Sequence, residues 1–457
     1  MKFATQTFSG KLKLKSIKKA LKIVGITIGA IIMIFLIFLF ALRFSPVQTF
    51  LTKKAAAYLS DQLNTTVSLK RIDVEFFKTI VLEEFYIEDQ DHDTLIYADK
   101  LYANFKLLQI KKQVIDLNEI ALEGGVFNLK TWADHKGSNY DFIADYFSPP
   151  QVDTVIVDTL NHETWKINFD DVRLVNSRFI YEDIGYPFVE YGVDFSHLDV
   201  TNVNGIFRSI YFKKDTIFSE IEALSFNEKS GFGVLQLFGN AKIHSTLLEV
   251  KDLKLETKNS NIKAHLIFSM DSFLSYNDFN EAVEINTDFD ESLVAFEDIA
   301  FFAPELKDLK EKVFLTGKVT GTVSNMKGRN VEMHLLSDTY LKGSFDLRGL
   351  PIIDETFIYL KVSELRTSKS SLERMPLFPF SSGKHLEVPE NFELLGTINF
   401  KGSFTGFVTD FVAYGEFNTA LGQMVTDISL KSNQTIPQYT GKVKMNRFNA
   451  GRFFGIE

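Results

Sequence analysis

The residues able to do chemistry are dispersed along this 457-residue chain. Eight histidines stand at positions 92, 135, 162, 197, 244, 265, 334 and 385, and no two share the i, i+4 spacing that sets paired imidazoles on one helix face for zinc. There is no cysteine, which excludes disulfides, thiolate metal sites and cysteine nucleophiles. A Walker loop, a Gly-x-Ser-x-Gly elbow and a Rossmann fingerprint are missing too. One acidic run, Glu88 to Asp93, places Asp89, Asp91 and Asp93 at the first ligand positions of a calcium loop. Thr94 then stands where that loop needs Gly, and Lys100 where a bidentate Glu would close it, so the run reads as a solvated hairpin turn. No catalytic residue, metal or cofactor is predicted, and an enzyme is not expected.

The elements of the chain point elsewhere. Ile23 to Leu42 contains no charge, Asn, Gln or Pro, and as a helix it spans about 30 Å, the thickness of a bilayer's hydrocarbon core. Residues 1–22 carry seven Lys and no acid, which keeps that segment in the cytoplasm and sends everything after Arg43 to the far side. A cleaved signal peptide would have a shorter apolar region of about 7 to 15 residues, ending at a small-x-small site. The formal charge is −9, so removing the +7 of the basic segment leaves −16 on residues 23–457, a poor surface for nucleic acid. Phe outnumbers Tyr and Trp, 45 against 15 and 2, which favours dry surfaces over wet interfaces.

Pro46 can start a second helix over residues 46–64, with Val47, Phe50, Leu51, Ala55, Tyr58 and Leu59 at helical spacing and Lys53, Lys54, Ser60 and Asp61 opposite. From Thr66 the period drops to two. Val67 and Leu69, then Ile72, Val74 and Phe76, alternate with polar residues, and Trp165, Ile167 and Phe169 share one face while Lys166, Asn168 and Asp170 share the other. Turns are expected at Asn202 to Gly205, Lys229 to Gly233 and Lys258 to Asn261, giving about 25 to 30 short strands in all. Two segments break the pattern: a short helix near 138–147, and a helical insertion over 291–312 interrupted at Pro304. Residues 367–391 read as one irregular loop. Stacked units tolerate so many strands, and GKVTGTVSNMKG (317–328) and GTINFKGSFTGF (396–407) share a glycine cadence that either marks a repeat or joins two unrelated hairpins.

The order of anchor, amphipathic helix and long β array resembles the AsmA-like family, and several segments resemble its TamB group. These are DTLIYADKL (93–101), residues 298–333, GSFDLRGLP (343–351) and residues 394–430. The resemblance implies a bacterial inner-membrane protein with a cytoplasmic N-terminus and a periplasmic body. That body would be mainly β: an elongated, open, curved antiparallel sheet forming an apolar groove, in two parts (66–290 and 313–457) about the insertion. It further implies phospholipid cargo carried toward the outer membrane without chemistry. Alternatively, the chain scaffolds outer-membrane protein assembly beside an Omp85-type (TamA-like) partner, met through a C-terminal domain beyond this N-terminal portion.

On that reading Trp165, Ile167, Phe169, Val331, Met333, Leu335, Ile358, Leu360, Val362, Ile398, Phe400 and Phe404 face the groove. Val47, Phe50, Leu51, Tyr58 and Leu59 form the helix at its membrane-proximal mouth. A closed sandwich core would account for the same alternation.

Overall fold

The computed structural model describes residues 45–75, 78–109, 114–132, 137–147, 166–335, 338–374, 387–431 and 438–456, together with Met33. The basic segment 1–22 and the rest of the expected spanning helix lie outside these residues. Among the described residues no helix is long and apolar enough to cross a membrane.

The chain is mainly β, 62% strand and 17% helical, in one large curved sheet. Among the described residues its 21 strands begin with β1 (Val67–Ser68), β2 (Arg71–Glu75), β3 (Thr79–Glu88), β4 (Thr94–Gln109), β5 (Val114–Glu123), β6 (Val126–Trp132) and β7 (Lys166–Ile184). There follow β8 (His197–Lys213), β9 (Thr216–Glu228), β10 (Gly233–His244), β11 (Leu247–Thr257), β12 (Asn261–Ser269), β13 (Glu284–Ala295) and β14 (Lys312–Gly321). The array closes with β15 (Asn325–Leu335), β16 (Thr339–Arg348), β17 (Phe357–Thr367), β18 (Ile398–Phe407), β19 (Asp410–Thr419), β20 (Gly422–Lys431) and β21 (Gln438–Asn446).

From β7 onward each strand pairs antiparallel with the next in sequence. Upstream the expected all-antiparallel sheet is corrected to a mixed one. β5 and β6 both pair parallel with β7, while β4 pairs antiparallel with both. A parallel neighbour needs a crossover of a dozen or more residues, and 33 residues separate Trp132 from Lys166. β5 and β6 thus lie end to end, broken at Gly124-Gly125, with Gly124 N–H donating to Val175 O and Arg178 N–H to Gly125 O.

Every ladder from β7–β8 through β17–β18 carries a register shift, and the three after it carry none. The shifts fall near mid-strand, at or beside left-handed residues such as Asn202, Asp252, Asn330, Gly239 and Gly317. A bulge bends its strand and sharpens the local twist, so a row of bulges crossing successive strands curves the sheet. Asn202 to Gly205 is one such bulge inside β8, not the expected turn. Reading bulges as turns accounts for the higher strand number expected from sequence. The turns at 229–233 and 258–261 do join hairpins.

The expected helical insertion is mostly not helical. Residues 291–295 finish β13, with 292–295 paired with β14, and only Phe296–Ile299 and the 3-10 turn Pro304–Leu306 coil before Lys312. In the expected loop 367–391, Lys369–Arg374 is helical and Glu390 opens a 3-10 helix ending at Leu395; residues 375–386 lie outside the description. The two glycine-rich segments are not equivalent: 317–328 crosses the β14–β15 turn, whereas 398–407 is a single strand.

The helix Ser45–Leu63 docks on β1 and β2. Its inner stripe begins polar. Gln48 donates to Asp73 (3.1 Å), Ile72 N–H donates to the Thr52 hydroxyl (3.1 Å), and Val67 N–H donates to the Ser60 hydroxyl (2.9 Å). Val47 and Leu51 are half-buried beside these groups, and in the last turns Leu59 and Leu63 pack with Val67, Ile87 and the helix Asp141–Phe147. Ser60 therefore faces the sheet, and Phe50 and Tyr58 are largely exposed, a correction to the expected amphipathic face. The Glu88–Asp93 turn is also less solvated than expected. Asp89 is fully buried, accepting from the Asp91 and Asp93 N–H groups and from Asn139.

Candidate functional site

Residues opposite one another in a ladder share a sheet face, so the registers trace that face strand by strand. One line runs through Ile80, Ala103, Ile120, Val172, Phe207 and Ile221 to Gly239 on β10. Two residues along β10, on the same face, Ala241 continues it through Val250, Leu266, Thr287, Val319 and Gly328. It ends through Phe345, Leu360, Phe404, Ala413, Ile428 and Gly441 on β21. Thr287 is its one polar residue. A single apolar band therefore crosses the sheet from β3 to β21.

The groove residues expected from sequence fall on this face where they are described. Val331 joins Val362 through Gly343, and Met333 joins Phe400 through Leu341 and Leu365. Ile358 lies two residues from Leu360, which pairs with Phe404. Leu335 pairs with Thr339, whose hydroxyl meets that of Thr367 at 2.9 Å, and Thr367 pairs with Ile398. Phe169 sits far along the array, its ring edge-on to Phe212 at 5.9 Å. Ile167 pairs with Ile115, but its side chain, like all of Trp165, lies outside the description. Single-strand alternation missed Phe207, Leu341, Phe345 and Phe417, which only cross-strand register assigns to the band.

Among the described residues all 21 strands belong to one sheet, and no second sheet covers the band. Val331 and Val362 are buried by neighbouring side chains, at 2% and 6% exposed, while Met333, Leu360, Phe400 and Phe404 are only half-buried. Toward the last strands exposure rises, and Val443 reaches 54%. Glycines let the large rings lie flat. A Cβ on Gly328 would strike the Phe345 ring, and one on Gly415 the Phe400 ring, so each aromatic side chain rests across its neighbour's bare backbone.

No family model, curated protein or solved structure matches this chain.

The outer face has the opposite chemistry. Arg208 donates to Asp171 (2.8 Å) and Glu222 (2.7 Å), Arg178 grips Asp199 (2.7 Å), and Lys401 meets Glu416 at 3.3 Å. Hydrogen bonds from Tyr414 and Lys401 hold the Glu416 carboxyl below its usual range. Such exposed pairs contribute little stability, but they commit this face to water. Among the described residues no group of three or more His, Asp or Glu side chains is placed to hold a metal ion.

Proposed function

We infer that this chain is a conduit for phospholipid acyl chains. One observation carries the reading: an apolar band crosses the sheet from β3 to β21, and among the described residues no second sheet covers it. Soluble monomers rarely leave contiguous apolar surface beyond a few hundred Å2. Each CH2 that left water for this band would gain about 0.8 kcal/mol. Because the band is nearly uniform, that gain changes little from strand to strand, and a chain can slide without any bond being made or broken. Headgroups stay in water above the trough. The apolar run at 23–42 and the family resemblance support anchorage in a bacterial inner membrane with the trough in the periplasm.

Photo-crosslinking residues at Phe169 or Phe400 should capture phospholipid in cells, and Phe400→Asp should abolish capture and function while the circular dichroism spectrum stays β-rich. Adducts to nascent barrel proteins along the exposed β21 edge, with no lipid adduct in the trough, would favour the assembly-scaffold alternative instead.

A further inference from the structure

In an antiparallel meander, successive connections alternate between two margins. The β12–β13, β14–β15 and β16–β17 connections therefore lie along one margin, and the β11–β12 and β13–β14 connections along the other. Strands of 9 to 12 residues would hold these margins about 30 to 40 Å apart if straight. Yet Ile299, Phe302 and Leu306 of the β13–β14 connection line one cavity of about 300 Å3 together with Phe279, Met326 and Leu350 of the opposite side. The connection reaches across the mouth of the trough. Met326 pairs with Leu347, and Leu347 with Ile358, so the cavity opens on the apolar face.

The base of this connection is locked. Asp298 accepts from Asn259 (3.2 Å) and from the Thr257 and Ser260 hydroxyls, all in the β11–β12 turn. Val193 N–H donates to Phe301 O (2.8 Å), and the Phe301 and Phe302 rings stand 5.7 and 5.0 Å from that of Phe232. The tip is different. Among the described residues no hydrogen bond or ion pair joins 303–306 to the far margin, and Asn280 is the only polar side chain around the cavity.

We propose that this segment is a strap, hinged at its base and free at its tip, that closes the trough over β13–β16 and holds one acyl chain in the cavity beneath it. This rests on the conduit reading and adds a place where lipid passes singly. The occupant is hydrocarbon, because the lining has no charge and the volume is at the small end of ligand pockets.

The test uses the full chain with vesicles of phosphatidylethanolamine and phosphatidylglycerol, and photo-crosslinking residues at Phe207, Met326 or Phe404. Ala303→Trp fills the cavity. As a second arm, Ala303→Cys with Val323→Cys, joined by a bifunctional maleimide, ties the tip down in a chain with no other cysteine. Capture at Phe404 should fall roughly tenfold in either variant while capture at Phe207 holds, and Ala303→Trp should also empty the Met326 position. If Phe404 capture is unchanged by the tied strap, or Met326 captures nothing while the other two positions do, the strap proposal is overturned and the conduit stands. If none of the three captures lipid, the conduit reading itself fails.

Discussion

Thr287 lies in the apolar band, 2% exposed, and among the described residues its hydroxyl has no hydrogen-bond partner. Burying an unpaired hydroxyl costs about 1 to 3 kcal/mol, and valine has the same shape without it. Thr287→Val should therefore raise the unfolding free energy by about 1 kcal/mol, read as a higher denaturant midpoint at unchanged slope. A second buried group behaves oppositely. Burial pushes the Asp194 carboxyl up, but hydrogen bonds from Val189 N–H (3.1 Å) and His197 (2.9 Å) outweigh it and leave the group below the usual carboxylate range. A carboxyl depressed on folding stabilises the native state above its unfolded pKa, about 3.9, and loses that contribution as the pH falls through its folded value. Melting temperatures measured across that acid window should drop more steeply for the native chain than for Asp194→Asn, which starts lower at neutral pH.

Rings laid over glycines define the strands of the second half of the array. Gly415→Ala would drive its methyl into the Phe400 ring and should destabilise by about 1 to 3 kcal/mol, with Phe400→Leu restoring part of the loss in the double variant; thermal midpoints would show it. Strand character itself was legible, since Val331, Met333 and Leu335 or Ile358, Leu360 and Val362 alternate plainly. The bulges were not, because Asn202 and Gly205 are turn residues by type and only partner strands reveal that the chain continues straight on. The stretch ESLVAFEDIAFF has apolar residues at helical spacing, and pairing of Ser292 to Ala295 with β14 overrides that local preference. The parallel placement of β5 and β6 beside β7 was invisible for the same reason: it is decided by residues tens of positions apart. Of the trough residues, those on freely alternating strands could be named, and those next to glycines or bulges could not.

At the scale of the whole molecule, each strand from β8 to β20 is held by its sequence neighbours, an arrangement whose stability is a sum of local terms. Phe448 and Phe453, which follow β21, plug one margin by packing with Leu395, Ile398 and Leu421. That geometry carries an arithmetic constraint. Excising β19 together with β20 would bring the tail back to the side where Leu395 waits, and such a shortened chain should still fold and resist trypsin. Excising β19 alone would deliver Phe448 and Phe453 to the wrong side, leaving both seats of that plug empty and the terminus open to protease. Between Leu395 and Phe448 the number of strands can therefore change only in steps of two while this packing is kept.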